Sequence, residues 1–232
     1  MNERVPQIST TIRLSVRGLN RRFGYRRVIR NLTLDVEAGS VLVLIGHNGA
    51  GKTTLIRLLA GLLKPTSGTV TREGSFGLVA HDSMFYDSLT AKENLRFFGN
   101  LVGSAESSRI EELLLVTGLT EHAERRVEAF SRGMVQRLTM ARALLHDPEL
   151  LLLDEPMTGL DDAATTTVQR LLADLASRNR SIVLATHHLP EVVHLATEVG
   201  FLVSGEMKAL EPIGGRDSRA LMDRYRELVQ NG

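Results

Sequence analysis

A three-layer α/β core carrying a mostly helical insertion is the fold class predicted by this 232-residue sequence. Three observations carry the prediction. Short runs of leucine and β-branched residues alternate with helical patterns, as happens when helices cover a sheet. One of those runs is apolar without a break and leads straight into a glycine-rich loop. A long helical stretch, about residues 90–145, then interrupts the alternation before it resumes.

Taken in order, residues 12–16 and 32–36 alternate apolar and polar side chains, as half-buried strands do. Val41–Ile45 is continuously apolar and reads as a strand buried on both faces. After the glycine loop, residues 53–63 predict an apolar helix. Residues 76–80, 150–153, 182–185 and 199–203 read as further strands. Inside the helical stretch, Thr90 with Glu93 forms one capping box and Ser108 with Glu111 a second. Beyond Ser131, the residues Met134, Leu138, Ala141 and Leu145 recur at helical spacing and share an apolar face. No internal repeat or low-complexity segment is present.

Composition narrows the function classes. With 43% hydrophobic residues, the chain can bury the core of one generous domain. Its net charge of +1 exerts no overall pull toward nucleic acid or a membrane surface. Cysteine is absent, which excludes disulfides and thiolate metal sites. No apolar run is long enough for a membrane span, and the first residues lack the apolar stretch of a signal peptide. If the chain works at a membrane, another chain must supply the spans. Of 28 basic residues, only Lys52, Lys64, Lys92 and Lys208 are lysine. A lysine kept inside a glycine loop points to a need for an ammonium there.

That loop runs Gly46, His47, Asn48, Gly49, Ala50, Gly51, Lys52, Thr53 and fits the pattern GxxxxGK[ST]. It follows a buried-strand pattern and opens a helix, the context that supports a phosphate loop over an ordinary glycine turn. Glycines let the backbone curl so that successive N–H groups point at phosphates, with the positive helix end behind them. Lys52 would reach the β- and γ-phosphates of ATP, and the Thr53 hydroxyl would bind Mg²⁺. Thr54 continues the cradle. Further on, the strand at 150–153 runs into Asp154, Glu155 and Pro156. A buried strand thus delivers two carboxylates at its C-terminal end, where open α/β sheets bind ligands. Asp154 would hold Mg²⁺, and Glu155 would polarise the attacking water as general base. Taken alone, Asp-Glu-Pro is an ordinary turn; the upstream phosphate loop turns the balance to the functional reading.

With these motifs in place, the chain resembles the ATP-binding subunit of ABC transporters over nearly its whole length. Phe130-Ser131-Arg132-Gly133-Met134 stands where that family carries its LSGGQ signature, followed by Gln136-Arg137 and Ala141-Arg142-Ala143-Leu144. The run from Asp154 to Asp161, DEPMTGLD, holds the Walker B motif and the D-loop. Thr186-His187 matches the H-loop, and Phe23-Gly24 resembles the aromatic position that stacks on adenine. The resemblance implies a P-loop NTPase core, at about 12–80 and 148–212, with an N-terminal antiparallel β portion. It implies a helical signature subdomain inserted at about 81–147 and a C-terminal helix at about 213–232. Two copies would pair head to tail around ATP, with Ser131 and Gly133 of one copy meeting the nucleotide of the other, and Asp161 of the D-loop is a further ATP contact. His187 would contact the γ-phosphate and orient water with Glu155. The partners implied are transmembrane permease subunits and a second ATP-binding subunit, with no nucleic acid, at the cytoplasmic face of the membrane.

Three positions, two in the signature and one at the Q-loop, depart from the family pattern. Arg132 and Met134 replace a glycine and the glutamine of the signature. At the Q-loop the aligned residue is His81, ahead of Leu89-Thr90 and Glu93-Asn94-Leu95. An imidazole can bind Mg²⁺ or water there, but it is shorter and titrates near neutrality. That histidine, with the ENL stretch and FSRGM, is similar to the ATP-binding subunit of the haem exporter of cytochrome c maturation. Subunits that export drugs, lipids or antibiotics are near neighbours. His187, His188 and His194 fit no zinc spacing, and the latter two read as helix residues. Arg21, Arg22, Arg26, Arg27 and Arg30 read as a solvated basic face beside Phe23. Nucleic-acid members of the family are disfavoured: Lys52 and Ser131 lie too close for a coiled-coil insertion, and there is room for only one ATPase domain.

Overall fold

The computed structural model describes residues 11–80, 84–187 and 189–230. Strands β1 (Ile12–Phe23), β2 (Arg26–Glu37) and β4 (Ser67–Arg72) form an antiparallel sheet in the order β2-β1-β4. A second sheet contains β3 (Val41–Ile45), β5 (Phe76–Val79), β6 (Leu150–Asp154), β7 (Ser181–Thr186), β8 (Glu198–Val203) and β9 (Glu206–Pro212). Its order is β5-β6-β7-β3-β8-β9, parallel throughout except for β9, which returns antiparallel on β8. The helices are α1 (Lys52–Leu59), α2 (Ala91–Val102), α3 (Ser107–Val116), α4 (Arg132–Ala143), α5 (Asp162–Ser177) and α6 (Ser218–Gln230).

Strand parity builds the layers. Leu42 and Leu44 of β3, with Leu150 and Leu152 of β6, share one core with Leu14, Val16, Leu55 and Leu59. Helix α1 is therefore enclosed between the two sheets. Val41, Val43 and Ile45, with Leu151 and Leu153, turn the other way and pack against Leu95, Leu138, Leu172 and Leu221 from the outer helices. Strands serving both cores are apolar along their middles, which is why β3, Leu150–Leu153 of β6 and Ile182–Ala185 of β7 read as unbroken apolar runs, with polar residues only at strand ends. Each such side chain contributes about 1.5–3 kcal/mol by leaving water. The three central strands are consequently the rigid base on which the loops at their C-terminal ends stand.

Several elements differ from the sequence expectation, each for a local reason. β1 and β2 extend well beyond 12–16 and 32–36, because the hairpin pairs Arg22 with Arg27 and Phe23 with Arg26. Backbone pairing holds that charged end, so it shows no apolar alternation. β4 and β9 were not expected; β4 has one partly buried apolar residue, Val70, and β9 is an edge strand with none fully buried. α5 hides behind Ala163-Ala164-Thr165-Thr166-Thr167, whose β-branched threonines are weak helix formers. α1 ends at Leu59 and not at 63: Gly61 adopts φ +77°, and the Arg72 guanidinium donates to the Leu59 carbonyl. The Thr90–Glu93 capping box is present, with both hydrogen bonds formed. The second box is not: α3 starts at Ser107, which places Ser108 inside the helix, and Glu106 gives no side-chain cap. His194 lies in a single 3₁₀ turn, Val193–Leu195, while His81 and His188 lie outside the described residues.

Candidate active site

The loop between β3 and α1 takes its shape from its glycines. Gly49 and Gly51 adopt φ +85° and +108°, which side chains with a Cβ rarely adopt. A Cβ on Gly51 would also stand 3.0 Å from the Val28 carbonyl and the Ile29 side chain, whereas at Gly49 it would meet open space. Gly46 and Ala50 are buried beneath the loop. The helix that follows starts at Lys52, with no side chain capping it and no acidic residue in its first turn. An uncapped, glycine-led helix N-terminus presents N–H groups and positive potential to whatever sits above it.

Lys52 is buried at 5% exposure, and its ammonium donates to the Gly46 carbonyl at 2.7 Å. Above it, at 3.5 Å, stands the Glu155 carboxylate. Glu155 directly follows β6 and has φ +50°, a strained conformation costing on the order of 1–3 kcal/mol for a residue with a side chain. Its backbone N–H is held by the Ala185 carbonyl at 2.9 Å, so the turn is tied to the neighbouring strand β7. The carboxylate lies 2.9 Å from His187 Nδ1 and accepts from the His187 backbone N–H at 3.3 Å. The Thr158 hydroxyl donates to it at 3.4 Å.

The adjacent carboxylates differ in electrostatics. Burial alone pushes Glu155 up, but the His187 hydrogen bond and the Lys52 charge together outweigh it and hold Glu155 below the usual carboxylate range. Asp154 moves the other way, pushed up by burial and only partly offset by the hydroxyl of Thr53, which donates to it at 3.2 Å. A buried carboxylate raised in this way, beside a hydroxyl, is a pair of oxygens that a hard divalent cation would suit. Among the described residues, no group of three His, Asp or Glu side chains gathers to hold an ion unaided.

A cleft of about 540 Å³ collects Phe23, Asn48, Gly49, Gly51, Lys52, Thr53, Thr54, Glu155 and His187. It also takes in Arg26, Val28 and Thr158, which sequence reasoning had not assigned to the site. Val28 and Thr158 belong to apolar and turn patterns that look purely structural, and Arg26 was read as part of a solvated basic face. Phe23 is 47% exposed at the cleft's edge, with the Arg21 guanidinium 4.4 Å above its ring. Asp154 joins through Thr53. His47 faces a neighbouring hollow with Arg27 and Arg30.

Ser131, Gly133 and Asp161 are not in the cleft. Ser131 caps α4, its hydroxyl accepting from the Met134 N–H at 3.3 Å, and Asp161 caps α5, accepting from the Ala164 N–H at 2.8 Å. The two helix starts meet: a Cβ on Gly133 would lie 3.6 Å from Ala164 and 3.7 Å from Leu160. Gln136 of α4 donates to the Pro156 carbonyl at 3.0 Å, linking this face to the turn that carries Glu155.

Residues 29–158 match the family described as ABC transporter. The ABC transporter ATP-binding protein YdbJ of Bacillus subtilis is 38% identical across 88% of this chain and 70% of its own length. The bacitracin transport ATP-binding protein BcrA of Bacillus licheniformis is 39% identical across 82% of this chain and 66% of its own length. The lantibiotic transport ATP-binding protein SrtF of Streptococcus pyogenes is 34% identical across 84% of this chain and 88% of its own. A solved structure of an ATP binding subunit of an ABC transporter superposes with a TM-score of 0.82 at 26% identity. It covers 93% of this chain and 99% of that one.

Proposed function

Because this chain belongs to the ABC transporter family, whose ATP-binding domains hydrolyse ATP, we propose that it powers a membrane transporter by closing with a second copy of itself around ATP. Its fold is the P-loop NTPase core of that family. The N–H groups at the start of α1 and the Lys52 ammonium hold the β- and γ-phosphates. Thr53 and Asp154 hold Mg²⁺, which when bound neutralises charge on the phosphate oxygens. Glu155, kept ionised, accepts a proton from the water that attacks the γ-phosphorus, and His187 fixes the direction of that carboxylate. Phe23 offers its exposed face to adenine.

The second copy follows from magnitudes. A helix N-terminus contributes about 0.3–1 kcal/mol toward an anion, and one hydrogen bond to a charged group about 1.5–3 kcal/mol. Together these amount to about 1.8–4 kcal/mol, which even at its upper end does no more than match the roughly 4 kcal/mol of a millimolar site. The α4 face with Ser131 and Gly133 therefore acts on nucleotide already held by another cleft. For the permease, Phe97, Leu101 and Val102 of α2, with Met84 and Tyr86 just before it, form an exposed apolar cluster at the start of the helical segment. Tyr86 and Phe97 meet edge to face with ring centroids 4.9 Å apart. An exposed apolar cluster of this kind suits a protein partner, and no helix among the described residues is long and apolar enough to cross a membrane itself. The working place is then the cytoplasmic membrane surface, beside a permease.

For the cargo, the names of the relatives favour the antibiotic class over haem, and His81, which suggested haem, lies outside the described residues. ATPase activity of the chain reconstituted with its permease distinguishes them: stimulation by a peptide antibiotic supports this reading, and stimulation by haem alone overturns it. The observation that carries the hydrolytic reading is the Lys52–Glu155–His187 constellation at the mouth of the phosphate loop. Titration calorimetry with Mg-ATP tests it. Lys52→Ala abolishes the binding seen with the unaltered chain; equal binding by both would refute the assignment of the loop.

A further inference from the structure

The Gly46–His47 peptide group, at the entry to the phosphate loop, is gripped at both of its polar ends. Its carbonyl, on Gly46, accepts from Lys52 Nζ at 2.7 Å. Its N–H, on His47, donates to the Tyr225 hydroxyl at 2.8 Å. Tyr225 comes from α6, far along the chain, and is 8% exposed. The opposite peptide of the same residue is also fixed, with the His47 carbonyl accepting from the Ala50 N–H at 3.1 Å. The first turn of the loop thus cannot rotate without breaking the Tyr225 contact or the Lys52 contact.

Helix α6 is itself anchored. Leu221 is fully buried in the outer core. Arg216 and Arg224 both reach Glu211 of β9, at 2.6 and 3.1 Å. Tyr225 Oη is therefore delivered to the loop by a helix fastened on the sheet beneath it. In accepting from His47, the oxygen points that N–H away from the cradle and sets the tilt of the peptide plane whose carbonyl seats the Lys52 ammonium.

We propose that Tyr225 is a positioning residue for ATP binding, acting through the Gly46–His47 peptide on the placement of Lys52. The inference rests on the phosphate-loop reading above. The loop must be held in one shape for its N–H groups to converge on a triphosphate, and in a loop free to flip its first peptide the apparent Kd rises as the inverse of the fraction of time spent in that shape.

Tyr225→Phe removes the oxygen and leaves the ring in its packing. The expected result is a KM for Mg-ATP raised about three- to tenfold, the weight of one net hydrogen bond, with kcat at saturation changed less than about twofold. Amide exchange at His47 should quicken in the same variant. Leu221→Ala, which opens a cavity in α6 docking and keeps the hydroxyl, separates positioning from general loosening. It should lower Tm more than Tyr225→Phe while raising KM less. A Tyr225→Phe protein with unaltered KM and unaltered His47 exchange overturns the inference, as does a KM that merely follows Tm across both variants. Failure of the unaltered chain to bind Mg-ATP would instead remove the phosphate-loop reading beneath it.

Discussion

Two helix N-termini in this molecule pair a glycine with a hydroxyl, and they are finished differently. α1 follows Gly51 in the left-handed region and starts with no side-chain cap, over a buried ammonium. α4 follows Ser131 in extended conformation, and the Ser131 oxygen closes the helix by accepting from Met134. Leaving a helix uncapped forgoes about 1 kcal/mol. At α1 the proposed function leaves that stability to be supplied by a bound phosphate, which would complete the end. At α4 the cap is satisfied internally, and since a hydroxyl can accept and donate at once, its proton remains available to an oxygen outside the chain. On the proposed function, the first end would be a receptor and the second a probe for a ligand held elsewhere. Neither replaces the other, and the cleft residues exclude Ser131 and Gly133 as the division requires.

Substitutions on each side should separate binding from turnover. The largest effect is expected from Glu155→Gln, which keeps the shape but removes the proton acceptor beside His187 and Lys52. Turnover should fall about 10²- to 10⁴-fold with Mg-ATP affinity preserved, read by steady-state hydrolysis and calorimetry. Next is Ser131→Ala, expected to slow turnover about tenfold or more while dilute protein binds Mg-ATP as before. A loss of affinity in the dilute chain would break the contrast, because it would place Ser131 in its own cleft. Gly51→Ala should act in the opposite sense: φ +108° and a contact 3.0 Å from the Val28 carbonyl strain the loop by about 1–3 kcal/mol, weakening nucleotide binding first. The smallest effect sharpens the comparison by lying outside it. Thr90→Ala removes an ordinary cap from α2 and should cost about 1 kcal/mol in denaturant unfolding with no change in KM.

The parts of this architecture that sequence reveals are those with local grammar. Val41–Ile45, the loop through Thr53, and Asp154-Glu155 were readable because one strand buried on two faces must be apolar throughout and one loop must hold glycines at fixed offsets. The Thr90–Glu93 box was readable for the same reason. Elements held by pairing to distant chain were not: β4 lies on β1 with one partly buried apolar side chain, and β9 is an edge strand. α5 was hidden by its threonines. In the site, Arg26, Val28 and Thr158 carry no motif of their own, and Tyr225 reaches His47 across most of the chain, a contact that no periodicity announces. The positive φ of Glu155, at a turn tied to Ala185 on the neighbouring strand, is likewise not announced by the Asp-Glu-Pro run.

That receptor and probe meet across two chains is the claim on which the hydrolytic mechanism depends, and sedimentation velocity of Glu155→Gln addresses it most directly. With Mg-ATP the variant should sediment as a long-lived dimer, and without nucleotide, or with Lys52→Ala added, as a monomer. A Glu155→Gln protein that is saturated with Mg-ATP yet remains monomeric at every accessible concentration would contradict the account.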